Sequence, residues 1–203
     1  MNPAHGKPEP AAVPLLNIAN LLTMSRFLLV PVFLVLLFAA GGHATGWRTV
    51  TTAVFALASL TDRIDGTVAR SRGLVTDFGK IADPIADKAL VGSALVGLSL
   101  LGDLWWWVTI VIATREIGIT LLRFWVIRHG VIPATRGGKL KTFTQALAIG
   151  LYLLPLPPGF TPLRLAVLAV ALVLTVVTGA DYVVRALKLR TRSRGAIAGM
   201  SQD

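Results

Sequence analysis

Thr61-Asp62-Arg63-Ile64-Asp65-Gly66-Thr67-Val68-Ala69-Arg70 closes one long apolar stretch, and Asp77-Phe78-Gly79-Lys80-Ile81-Ala82-Asp83-Pro84-Ile85-Ala86-Asp87-Lys88 opens the next. On an α-helix the three-residue step from Asp62 to Asp65 leaves the pair about 60° apart in projection, and the four-residue step from Asp83 to Asp87 leaves about 40°. Each pair therefore occupies one helical face. The connection between the helices is short, so they are antiparallel neighbours whose acidic faces can be turned toward each other at one end. Four carboxylates gathered in low-dielectric surroundings repel, and bound divalent cations resolve the repulsion.

The chain has no cysteine, and its histidines, His5, His43 and His129, lie far apart. A metal here must be held by oxygen, which favours two Mg²⁺ or Mn²⁺ ions, with a phosphate able to complete their shells. Salt bridges to Arg63, Arg70, Lys80 and Lys88 would explain any one aspartate, but they do not require all four on two helical faces. Gly66, Ala69 and Gly79 leave room either for tight helix packing or for a flat group to approach the backbone.

Outward from this segment the chain reads as membrane protein. Of 203 residues, 54% are hydrophobic and 15% charged, and the mean hydropathy is +0.71. Apolar stretches of roughly 17 to 25 residues suit helices that cross about 30 Å of hydrocarbon. Six are expected, at 26–40, 47–69, 79–101, 104–127, 140–156 and 163–184. The fold class is all-α and integral to the membrane, with an amphipathic interfacial helix ahead of the first span at 15–25. Residues 1–14, rich in Pro and Ala, read as a disordered tail, 15–188 as the membrane domain, and 189–203 as a basic cytoplasmic tail. Residues 27–40 also resemble the apolar core of a cleaved leader, although its polar approach would be unusually long.

The net charge of +10 marks topology rather than a nucleic-acid partner. Lys7, Arg70, Arg72, Arg128, Arg136, Lys139, Lys141, Arg185, Lys188, Arg190, Arg192 and Arg194 fall on alternate connections and on the tails, while the other connections hold little beyond Arg48, Asp103 and Arg164. Both termini and the aspartates are therefore expected on the cytoplasmic side. Trp105, Trp106 and Trp107 stand where an outer aromatic belt belongs, and Pro155, Pro157, Pro158 and Pro162 mark the other outer turn. The excess of 14 Arg over 6 Lys hints at a GC-rich bacterial genome, and so at a bacterial cell membrane.

The segment from Asp62 to Asp87 resembles the signature of the CDP-alcohol phosphatidyltransferases, DxxDGxxARx8GxxxDxxxD, at all eight fixed positions: Asp62, Asp65, Gly66, Ala69, Arg70, Gly79, Asp83 and Asp87. Members of that family transfer a phosphatidyl group from CDP-diacylglycerol to an alcohol and release CMP. The resemblance implies that Asp62, Asp65 and Asp83 are principal metal ligands. Asp87 would complete the metal site and serve as general base on the acceptor hydroxyl. Asp62, Gly66, Ala69, Arg70 and Gly79 would form the CDP site, and the protein would be a homodimer.

Arg115, Glu116 and Arg123 lie within an apolar stretch, where charge points to function unless the groups pair; Glu116 and Arg123, seven residues apart, could bridge. Gly137-Gly138-Lys139 fails as a phosphate loop, lacking the preceding glycine and a Ser or Thr directly after the lysine. Arg115, Arg123, Lys139 and Lys141 together make a candidate pocket for an anionic acceptor. Asn20-Leu21-Leu22-Thr23-Met24-Ser25-Arg26, the pair Arg115-Glu116, residues 139–142, and Thr178 with Gly179, Asp181 and Tyr182 resemble the branch whose acceptor is sn-glycerol 3-phosphate. Asp181 and Arg185 could equally be a local salt pair. Same-family alternatives use phosphatidylglycerol or an inositol phosphate. A divalent-cation transporter is the rival from another class, although the acidic residues gather at one rim and trace no path across. A non-catalytic scaffold with metal-bound aspartates is a third reading.

Overall fold

The computed structural model describes the backbone of residues 18–71, 77–126 and 136–199. The expected disordered tail lies outside the described residues. What is described is helical, with no strand: α1 Ile18–Phe38, α2 Thr45–Ser71, α3 Asp77–Leu100, α4 Trp106–Val126, α5 Arg136–Leu153 and α6 Thr161–Gly199. Short 3-10 turns at Ala39–Gly42 and Pro158–Phe160 lead into α2 and α6.

Two boundaries differ from expectation. The lead-in is not a separate helix, because the chain runs as one helix from Ile18 to Phe38; with no Gly or Pro before Pro31, nothing interrupts it. At the other end α6 continues to Gly199. Its Arg, Lys, Leu and Ala residues are good helix formers, so the basic C-terminal segment is carried on helix.

The core is shared by all six helices. Phe33 and Leu37 of α1, Phe55 of α2, Leu90 and Leu98 of α3, Ile112 of α4, Leu153 of α5 and Ala171 of α6 are buried in one cluster. The rings of Phe33 and Phe55 pack 6.0 Å apart. Gly97 lets α3 close on α1, since a Cβ there would strike the end of Leu37. Buried hydroxyls are satisfied within the apolar interior: Thr51 donates to Trp47 O at 2.8 Å, Thr175 to Ala171 O at 2.6 Å, and Ser99 and Thr109 join α3 to α4 at 2.7 Å.

Every helix also turns large apolar side chains outward, among them Leu28, Leu57, Leu100, Ile117, Phe143 and Val177. Lipid rather than water suits such a surface. Among the described residues one stretch, Pro158–Lys188, is by itself long and apolar enough to cross a membrane, with mean hydropathy 2.3; Phe27–Gly42 and Lys88–Leu100 are shorter apolar helices.

The end of the bundle away from the aspartates is tied by charges. Arg48, 5% exposed, donates to Gly42 O and to the Asp103 carboxylate, with a longer contact to Tyr152 O at 3.4 Å. His43 lies 3.5 Å from the same carboxylate. Gly42 has a positive φ of 79°, and a side chain there would collide with Leu101, so only glycine lets the turn present its carbonyl to Arg48. Arg164 donates to Leu154 O at 2.7 Å and closes the turn into α6. One guanidinium thus fastens the α1–α2 turn, the α3–α4 turn and the end of α5. Arg48→Met removes the charge while keeping the bulk; it is expected to cost about 3 kcal/mol and lower the thermal unfolding midpoint in detergent. Adding Asp103→Asn should recover part of the loss, and an unchanged midpoint in the single variant would rule the staple out.

Candidate active site

The eight signature positions fall on two consecutive helices. Asp62, Asp65, Gly66, Ala69 and Arg70 lie in the last turns of α2, which is helical through Ser71, and Gly79, Asp83 and Asp87 lie in the first turns of α3. Both helices run through these positions without a break, so the three- and four-residue steps translate into one face each. The side chains of these residues, and that of Arg123 near the end of α4, lie outside the described residues. So do the side chains of Asn20, Thr23 and Arg26.

The acceptor candidates come together in part. Glu116 on α4 accepts from Lys141 of α5 and from Arg115 Nη1, the latter at 3.1 Å. Arg115 Nη2 donates to Thr178 Oγ1 on α6 at 3.1 Å. Lys88, one residue past Asp87, reaches α4, donating to Thr120 Oγ1 and to Glu116 O, the latter at 3.3 Å. Four helices are therefore linked around Glu116: α4 and α5 at its carboxylate, α3 at its backbone oxygen, and α6 through Arg115. The carboxylate's described partners are Arg115 and Lys141; the Arg123 bridge that spacing allowed lies outside the described residues. Lys139 is exposed on α5. Asp181 and Arg185 form the local pair, at 2.9 Å, both about half exposed.

Thr178 and Gly179 act on Arg115 jointly. A Cβ on Gly179 would stand 3.2 Å from Arg115 Cγ, so the glycine provides the space in which the arginine lies while the threonine hydroxyl holds its tip. Arg115 Nε is buried without a hydrogen-bond partner. Such a donor on a fixed guanidinium suits an incoming oxyanion.

Beside this cluster a cavity of about 180 Å³ opens between α3, α4 and α5. Lys88, Glu116, Lys141 and Gln145 form its polar part, and Val91, Leu95 and Ile112 its apolar wall. Thr120 and Gln145 carried no charge to single them out in the sequence. For Gln145 the available signal was its four-residue step from Lys141, which puts both on one face of α5.

The geometry and the signature agree with membership of a known family. Residues 16–177 match the CDP-alcohol phosphatidyltransferases, and the chain belongs to that family; it is a transferase, not a transporter or a scaffold. It is 59% identical over 172 residues to a protein of Mycobacterium tuberculosis (strain ATCC 25618 / H37Rv) named probable phosphatidylglycerophosphate synthase, the match covering 85% of this chain and 82% of that one. It is 37% identical over 179 residues to the CDP-diacylglycerol--glycerol-3-phosphate 3-phosphatidyltransferase of Bacillus subtilis (strain 168), covering 82% and 93%. Similarity extends to a cardiolipin synthase (CMP-forming) of Oryza sativa subsp. japonica, 35% over 163 residues, covering 73% of this chain and 49% of that protein.

Neutralising Glu116 leaves Arg115 and Lys141 facing each other without their shared carboxylate. Glu116→Gln is expected to cost about 3 kcal/mol, read as a lowered unfolding midpoint in detergent. Glu116→Gln combined with Lys141→Met should be less destabilised than Glu116→Gln alone; simple additivity of the two changes would show that the groups do not interact.

Proposed function

We propose that the chain transfers the phosphatidyl group of CDP-diacylglycerol to sn-glycerol 3-phosphate, giving phosphatidylglycerophosphate and releasing CMP. The observation that carries this reading is the cluster at Glu116, where Arg115 and Lys141 hold the carboxylate and Lys88 reaches the backbone oxygen of the same residue. Arg115 also keeps a buried Nε without a hydrogen-bond partner, and a phosphomonoester, with close to two negative charges, suits such a donor on a fixed guanidinium better than a phosphodiester lipid with one. The names of the Mycobacterium and Bacillus relatives favour the same acceptor. The rice relative's name, cardiolipin synthase (CMP-forming), favours the same-family alternative.

In this reading Asp62, Asp65, Asp83 and Asp87 hold two divalent ions, Mg²⁺ or Mn²⁺. An all-oxygen set of four carboxylates on two unbroken helices fits such hard cations. When bound, the ions neutralise the pyrophosphate and stabilise the charge that develops on the departing phosphate. Asp62, Gly66, Ala69, Arg70 and Gly79 form the CDP site, with Arg70 on a phosphate. Arg115, Arg123, Lys139 and Lys141 hold the phosphate of the acceptor. Asp87 takes the proton from the acceptor hydroxyl as its oxygen bonds to phosphorus; the bond from that phosphorus to CMP breaks, and CMP leaves.

The six helices cross a bacterial cell membrane, with both termini and the site on the cytoplasmic side. Support comes from the outward apolar side chains on every helix and from the basic residues on alternate connections. The donor's acyl chains then stay in lipid while its headgroup enters the site. A homodimer, implied by the resemblance, is part of the same reading.

Purified protein given CDP-diacylglycerol and Mg²⁺ should release CMP with sn-glycerol 3-phosphate. Release with inositol phosphate or phosphatidylglycerol but not with glycerol 3-phosphate would overturn the choice of acceptor. Asp87→Asn should lower kcat by about a hundredfold or more in protein that unfolds at the same temperature as the parent.

A further inference from the structure

We infer that Gln145 reads the non-reacting hydroxyl of the acceptor alcohol from the wall of the cavity between α3, α4 and α5. The inference rests on glycerol 3-phosphate being the acceptor. Gln145 is 4% exposed, and its Oε1 has no hydrogen-bond partner. Buried amide oxygens are normally paired, and an unpaired one is costly. This one belongs to a side chain that lines the cavity, so a ligand there that carries an O–H would satisfy it.

The register on α5 says which part of the ligand that is. Lys141 and Gln145 are one turn apart, about 6 Å along the helix. A phosphate held at Lys141 and Arg115 places a three-carbon chain beside Gln145. Glycerol 3-phosphate offers a primary hydroxyl, which reacts, and a secondary one, which does not. On α3, Val91 lines the same cavity one turn beyond Asp87, the proposed base, so the reacting hydroxyl belongs on the α3 side and the secondary hydroxyl on the α5 side. Among the other polar groups of the wall, Glu116 is engaged by Arg115 and Lys141, Thr109 by Ser99 and Leu95 O, and Thr142 by Gly138 O. A neutral amide also suits the position, since a carboxylate there would repel the acceptor's phosphate.

The test compares sn-glycerol 3-phosphate with its 2-deoxy analogue, propane-1,3-diol monophosphate, as acceptors for the full chain in micelles with CDP-diacylglycerol and Mg²⁺. The parent should use the deoxy analogue about tenfold less well in kcat/KM or worse, because the site's buried oxygen is then left unpaired. Gln145→Leu should lose that factor on glycerol 3-phosphate and almost nothing on the analogue, so that the two acceptors become equivalent. Gln145→Met, closer in shape, is the second variant, and unchanged KM for CDP-diacylglycerol shows that the donor site is intact. Equal losses on both acceptors, or a preference for glycerol 3-phosphate that survives in either variant, would overturn the inference and leave the proposed reaction standing. If the parent releases no CMP with glycerol 3-phosphate, the acceptor assignment fails and the inference falls with it.

Discussion

Glu116 is a carboxylate in the middle of an apolar helix, and the half of the bundle nearer the aspartates is built around compensating it. An unpaired charge is costly among apolar side chains, so cations must be brought to it from elsewhere in the chain. Lys141 comes from α5, Arg115 from the next position on α4, and Lys88 from α3 to the backbone oxygen of the same residue. Apolar contact gives little directional preference between helices surrounded by lipid. The shared carboxylate supplies one, and it lets α4 and α5 be joined across a cavity rather than along a packed seam.

The two ends of the bundle use charge differently. At the end with the tryptophans, Arg48 and Asp103 form a tie between turns, and the guanidinium spends its donors on the protein's own carbonyls and carboxylate. At the aspartate end Arg115 Nε is unpartnered, and the Gln145 oxygen is unpartnered too. Arg164 Nε is unpartnered at the opposite end, but its Nη2 is held by two carbonyls. One end is arranged for itself, and the other is left to be completed by something that arrives.

What was legible in the sequence was what repeats locally. The aspartate steps, the apolar stretches, the basic connections and the Asp181–Arg185 pair depend on neighbours within a turn or two, and helix number and order followed from them. The merging of the lead-in into α1 is legible too, since the first expected span is short unless the lead-in continues into it, and no breaker stands between Ile18 and Pro31. The ties between Arg48 and Asp103, 55 residues apart, and between Arg115 and Thr178, 63 apart, have no local period. A lone charge on a polar-poor connection signals only that some partner exists. Gln145 was silent for another reason: a neutral amide on a helix is unremarkable until its burial is known.

The family's common chemistry and this chain's choice of acceptor therefore depend on different helices. The signature belongs wholly to α2 and α3. The groups proposed to face the acceptor come from α4 and α5, with α6 in support, where Gly179 makes room for Arg115 and Thr178 orients it. Because Glu116 links α4 to α5, and Lys88 links α4 to α3 directly after Asp87, a change in the second set is transmitted to the first at that point. The boundary between them runs through a single residue step, from the proposed base at Asp87 to the cation at Lys88.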